Sequence, residues 1–435
     1  MSAPSLSSLP LKTALVFALL AILAVPIPGG AQSVQYNAPG DVNIEQTVGH
    51  EGLRQDMDNA RWRLGGLRVD PSIYLNGLSY VNDVFPSSDA EEVSDITARV
   101  GAGLRAYLPL GRKAILMGWA LPEYVWWADT TERRRWNEFF GAGLFGDFNR
   151  LDLELVVNRK EEERIPNAEL LQEVPLRKDR VYGNTEIEVF NGISVIAQAQ
   201  EEETRYLIDE LDDSRAAAFG GLDRDESLLR GGVRFNLGQW WTATAGYERI
   251  EVDFLDDSRP LSHSGSSPFL TLLRKRGDSE VRLELVQRQV DPETGSRFVP
   301  FDETLGFATV SFKPRPRLTT RFYASRNLVF SISDDYVYFL DERVGVGLSW
   351  ELGRRTNLEL FAESGDQDYT RLNLLAPERI DDFNGWGAQV EFDLRESTTV
   401  ALGVVKTEVD SVIPGQQQDV TRINTSIRIG GGKWP

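Results

Sequence analysis

The residues with the most chemical reach in this chain are arginines and carboxylates that share one face of a repeating alternation. Arg99, Arg105, Arg230, Arg234, Arg282, Arg288, Arg321, Arg422 and Arg428 sit at the polar positions of runs whose other positions are apolar. Asp152, Glu154, Glu186, Glu188, Glu284, Glu359, Glu363, Glu391 and Asp393 occupy the same kind of position. A guanidinium presents a planar fork of donors that matches carboxylates and phosphates. Two uses are open to such a face. Facing bases and acids lock a wall as a ladder of ion pairs, or they form a charged constriction that sorts solutes by sign. An arginine-rich wall beside acidic loops favours anionic or sugar-like ligands.

Other chemistry is thin. Cysteine is absent and histidine occurs twice, at His50 and His263. That excludes disulfides, thiolate metal sites and a histidine metal cluster of more than two ligands. His263 lies in Ser262-His263-Ser264-Gly265 without a nameable partner. Asp209, Glu210, Asp212 and Asp213, and Asp253, Asp256 and Asp257, are oxygen-only clusters of the kind calcium prefers, but they lack EF-hand spacing and read as solvated loops. Glu161-Glu162-Glu163 and Glu201-Glu202-Glu203 read as charge runs at solvated loop bases. No phosphate-binding loop, dinucleotide fingerprint or zinc-protease motif occurs. The expectation is a chain with no catalytic residue, no metal and no cofactor. A net charge of −19 makes it a poor partner for nucleic acid.

The elements that carry these side chains are strands. Lys12 followed by the apolar run from Thr13 to Ile27, then Gly29 and Ala31, has the layout of a cleaved signal peptide over 1–31. Residues 32–62 are polar and irregular, and read as a periplasmic or lumenal segment. From about residue 63 to 435 the pattern is period-two alternation in runs of about 9–14 residues, the strand length and rhythm of an outer-membrane barrel. In Ile96–Leu108, Ile96, Ala98, Val100, Ala102, Leu104, Ala106 and Leu108 oppose Thr97, Arg99, Gly101, Gly103, Arg105 and Tyr107. Short turns such as Phe190-Asn191-Gly192 and Leu237-Gly238-Gln239 alternate with long polar connections over 85–93, 161–180, 201–226, 255–267, 291–303 and 365–382. Short turns at one end and long loops at the other is how such barrels are built. Trp126, Trp127, Phe148, Trp240, Trp241, Phe312 and Trp350 fall near strand ends, as an interfacial girdle would.

Val69–Phe85 followed by Ser94–Gly111 combines a proline-led first strand, an aromatic–x–Asn–Asp loop entry and a glycine-punctuated second strand ending in a tight turn. This resembles the putative β-barrel porin 2 family over about 45 residues. The resemblance implies an outer-membrane barrel of a kind that in several cases accompanies exopolysaccharide synthesis and export. The last strand departs from the usual terminal aromatic, running instead into Gly430-Gly431-Gly432-Lys433-Trp434-Pro435.

The sequence therefore predicts an all-β, transmembrane, antiparallel up-and-down barrel. It has about 18 strands, or 16 if the first strand and the region near Asn327–Tyr336 are not counted. The residues expected to line its lumen are Arg99, Arg105, Arg230, Arg234, Arg282, Arg321, Arg422, Arg428, Glu154, Glu284, Glu359 and Glu391. The expected function is a porin or conduit in the outer membrane, in contact with its lipid, passing a polar solute or helping to export a polysaccharide. The alternative is a structural or adhesive barrel with a plugged lumen and partner-binding acidic loops. Nothing in the sequence fixes the oligomeric state.

Overall fold

The structure, a computed structural model, describes residues 50–86, 92–207, 216–395, 398–413 and 416–429. The expected signal peptide, most of the segment 32–62, the acidic cluster at 209–213 and Trp434 lie outside the described residues.

Alternation of apolar and polar residues makes each run a strand with two unlike faces, and such strands bury neither face alone. Here eighteen of them pair edge to edge: β1 (Leu67–Val81), β2 (Asp95–Leu110), β3 (Ala114–Ala120, continued as Glu123–Trp127), β4 (Arg135–Asn137, continued as Phe139–Asp147), β5 (Leu151–Arg164), β6 (Val174–Phe190), β7 (Ile193–Tyr206), β8 (Arg224–Leu237), β9 (Trp241–Phe254), β10 (His263–Arg276), β11 (Ser279–Pro292), β12 (Phe301–Arg315), β13 (Leu318–Phe330), β14 (Tyr336–Glu351), β15 (Thr356–Arg371), β16 (Ile380–Arg395), β17 (Thr398–Asp410) and β18 (Gln418–Ile429). Each pairs antiparallel with its chain neighbours, and β18 pairs with β1 from Ile73↔Ile429 to Val81↔Arg422. The sheet is thereby closed and no edge is left to be satisfied by solvent, the condition for spanning hydrocarbon with strands.

The outer face is apolar. Ile96, Val100, Leu104 and Leu108 of β2 are exposed on it, with Leu155, Val157, Val181, Ile187, Val195 and Leu229 continuing the band on later strands. An exposed apolar surface of this extent needs a non-aqueous partner, and a lipid-facing belt supplies it. Tight turns close one end. Gly192 sits at φ +79° between β6 and β7, and Asn149 adopts φ +71° between β4 and β5, the left-handed backbone that such hairpins need.

At the other end the strands run further than the sequence pattern indicates. The connection expected over 161–180 reduces to 165–173, that over 201–226 to 207–223, and that over 365–382 to 372–379. Apolar alternation stops where lipid stops, but the hydrogen-bonded ladder continues, so the outer face becomes charged without the strand ending. The glutamate runs are corrected accordingly. Glu163 and Glu202 are strand residues only 2% and 3% exposed, not solvated loop residues: Arg99 reaches Glu163 across the interior from β2, and Lys178 on the adjacent strand faces Glu202. Trp127 is likewise buried on the inner side, opposite Thr97 and under the Arg133 guanidinium, while Trp126, Phe148, Trp240, Phe312 and Trp350 are exposed outside. His263 opens β10 rather than lying in a loop, buried with its ring stacked 3.9 Å from that of Phe298.

Before the barrel, α1 (His50–Asn59) leads into a short strand, Trp62–Leu64, that folds back on Leu67–Val69.

Candidate functional site

Strand register decides which side chains point inward, since residues paired across a ladder share a face. Asp70 pairs with Arg105, Val81 with Arg422, and Tyr74 with both Arg428 and Gly101. The same face continues through Glu154↔Asn184, Gln198↔Arg230, Ser194↔Arg234, Thr271↔Glu284, Arg282↔Thr309, Arg321↔Gly347, Ser349↔Glu359 and Asn357↔Glu391. The sequence-named candidates in these pairings share the face opposite the exposed apolar band. Most are there engaged in ion pairs.

Arg230 is held by three aromatic and acidic neighbours. Its Nη2 lies 3.1 Å from Glu284 Oε1, its Nε 3.6 Å from Glu248, and its guanidinium 3.7 Å from the centre of the Phe269 ring. Arg288 reaches the same Glu248 at 2.8 Å. Arg105 bridges Asp70 at 3.0 Å and Asp56 of α1 at 3.5 Å. Arg234 pairs with Glu186, and Arg428 with Glu391 at 3.9 Å. Glu359 accepts from Asn357 Nδ2 at 3.1 Å, and Glu154 faces Phe145 and Asn184.

Arg282 and Arg321 differ. No carboxylate lies within 4 Å of either guanidinium among the described residues; Arg282 rests over the Phe307 ring at 5.3 Å and Arg321 is exposed. They stand two strands apart, separated by Thr309 and Ser311 of β12.

A second set of charges joins Glu363, already named from the sequence, to Asp341 and Arg343. Arg343 pairs with Asp341 at 3.0 Å and Glu363 at 3.2 Å, and Tyr323 donates to Glu363 at 2.6 Å. Asp341 and Arg343 alternate on the same face as the rest, so the signal was present. No such signal marks the connection 165–173. Asn167, Ala168, Glu169, Leu170, Leu171 and Gln172 are all buried, although they join β5 to β6 at the long-loop end. The segment crosses to the far wall. Asn167 Nδ2 donates to the Phe330 carbonyl at 3.1 Å, Glu169 Oε1 meets Ser331 Oγ at 2.9 Å and Arg379 at 3.1 Å, and Gln418 bonds both the Glu169 carbonyl and the Leu171 amide at 2.6 Å. Leu170 packs with Phe219, Phe254 and Phe330, while Ala168 and Leu171 pack with Trp127, Phe383 and Val420.

At its end Glu173 gathers two of the sequence candidates: it pairs with Arg422 and lies 3.1 Å from Arg99. Arg133 also donates to the Glu173 carbonyl at 2.6 Å. Burial alone would raise the Glu173 carboxyl, but the guanidiniums of Arg422, Arg99 and Arg133 bring it down to about 2. Burial raises Glu169 above its ordinary value against the pull of Arg379.

A closed barrel of apolar exterior and charged interior, with one connection folded across its width, belongs to the porin-like class of architecture. Comparison with known proteins gives the particulars. Pseudomonas aeruginosa OpdQ matches with a TM-score of 0.51 at 11% identity, over 83% of this chain and 98% of that one. P. aeruginosa OccK2 (OpdF) in complex with glucuronate matches with a TM-score of 0.50 at 10% identity, over 83% and 98%. P. aeruginosa OpdO matches with a TM-score of 0.50 at 12% identity, over 84% and 98%. At such identities the likeness is one of fold. No protein-family model matches the chain, so membership of the porin 2 family is not confirmed, and no curated protein matches it.

Proposed function

We propose that this protein is a passive outer-membrane channel for small, polar, anionic solutes. The observation that carries the reading is the pair Arg282 and Arg321, the sequence-named wall arginines left without a carboxylate within ion-pair reach. Arg99, Arg105, Arg230, Arg234, Arg422 and Arg428 are each paired with a carboxylate. At these two positions it remains available to a passing carboxylate or phosphate, which a guanidinium binds through paired hydrogen bonds. The glucuronate in one structural neighbour is a solute of this class. A polymer fits less well: segment 165–173 crosses the interior, so a polysaccharide chain has no straight path.

Burial of that segment favours a second reading, a barrel whose outer end is plugged and whose role is structural. Ion selectivity separates the two. In planar bilayers under a potassium chloride gradient, the channel reading expects steady current with a reversal potential on the anion side. Glucuronate should reduce the current, and Arg282→Glu with Arg321→Glu should move the reversal potential toward cations. A wild-type barrel that passes no steady current supports the plugged reading instead.

A further inference from the structure

At the short-turn end the inner wall carries an apolar patch. Tyr107 on β2, Ile115, Met117 and Trp119 on β3, and Phe145 on β4 share the inward face through Tyr107↔Met117, Arg105↔Trp119 and Ile115↔Phe145. A water-filled interior would leave this surface wet. Instead α1 covers it. Leu53 is 2% exposed and forms one cluster with these side chains, with Met57 and Ala60 beside it. Leu53 and Met57 are one helical turn apart and so lie on one face. Polar contacts fix the height: Asp56 meets Arg105 at 3.5 Å, and the Arg54 guanidinium donates to the carbonyl of Arg112 in the β2–β3 turn. Gly52, Gln55, Asp58 and Asn59 form the exposed side.

The barrel does not require this helix to exist. All eighteen strands pair with one another, and β18 closes on β1 without any contribution from α1. The seat is also small, Leu53, Met57 and Ala60 with one ion pair and one hydrogen bond. Yet a helix with its side chains is about 10–12 Å across, so one lying against the inner wall takes up space in the mouth. We infer that α1 is a displaceable plug that sets the width of the channel at the short-turn end. The inference rests on the channel reading above.

The chain has no cysteine, so Met117→Cys places a single reporter beneath the helix. Two proteins are compared, this reporter alone and the reporter with Leu53→Asp and Met57→Asp. Both substitutions lie outside the strands of the barrel, whose integrity is checked by heat-modified gel mobility. In the first protein the thiol should resist a membrane-impermeant methanethiosulfonate reagent. In the second it should react, and single-channel current should rise roughly twofold or more, as expected if a body about 10–12 Å wide leaves the mouth. Equal currents from two conducting proteins overturn the plug. Equal labelling overturns the seat itself. Unlocked labelling with no current from either protein counts against the plug and, separately, against the channel reading. A complement is Leu53→Cys with Ile115→Cys and Met57→Asp, joined by a short thiol cross-linker: the linker should hold the helix on its seat against the introduced charge, and current should rise when it is cleaved.

Discussion

Arg230 shows what a charge inside this barrel depends on. Its side chain is 1% exposed, and the Glu248 and Glu284 side chains that face it are 1% and 2% exposed. Desolvating three ions is offset only by their mutual geometry, and removing one partner strands the others. Breaking a buried pair costs about 3–5 kcal/mol. Arg230→Ala should therefore lower the temperature at which the folded band converts to the unfolded one on a gel, whereas Arg249→Ala should barely move it. Arg249 is the useful control because its side chain is 66% exposed against Glu251, and surface pairs contribute about 0–1 kcal/mol. A conversion temperature unchanged in Arg230→Ala would mean that water reaches this cluster.

Elements divide into those whose position is written in their own residues and those whose position depends on others. Strands are the first kind. The alternation in Ile96–Leu108 already separates the lipid face from the face of Arg99 and Arg105, and the alternation of short turns with long connections set the reading of about 18 strands that the closed sheet has. What escaped was set by distant partners. Glu202 looks like one of three solvated glutamates until Lys178, on the adjacent strand, is brought within 2.6 Å. Segment 165–173 reads as a polar loop because its neighbours are charged, yet Ala168, Leu170 and Leu171 within it are apolar, and they find partners at Phe330, Phe383 and Val420 only after the barrel closes. The docking of this segment should depend on pH through Glu173. Its ordinary value is 4.5 and its folded value about 2. A carboxyl lowered by folding stabilises the docked form when ionised, so that contribution is complete above 4.5 and is lost as pH falls toward 2. Glu173→Gln should behave at neutral pH as the wild type does in strong acid, with a larger and noisier single-channel current. The two proteins should converge near the folded value. A difference that persists undiminished into strong acid would show that the Arg99 and Arg422 pairs do not hold the segment.

On the scale of the whole molecule the interior is narrowed twice, at opposite ends and by unrelated means. Segment 165–173 is anchored at the long-loop end by buried hydrogen bonds and two apolar clusters. Helix α1 sits at the short-turn end on a much smaller seat. Two narrow sections traversed in sequence act as resistances in series, so the total falls only as far as the remaining one allows. Replacing 166–172 with a glycine–serine linker should raise the current, and so should Leu53→Asp with Met57→Asp, each by a limited factor. Combining them should raise it by more than the product of the separate factors, because each single change leaves the other section limiting. The ends also differ in what they sort. Arg282 and Arg321 lie on the barrel wall itself, near the short turns, and belong to neither restricting element, so anion preference should survive both changes while the upper size limit of permeant solutes increases. Measuring current and reversal potential on the four proteins of this cycle tests the arrangement. A combined effect equal to that of one change alone would reduce the two restrictions to a single one, and loss of anion preference on removing 166–172 would transfer the selecting charges from the wall to the segment that crosses it.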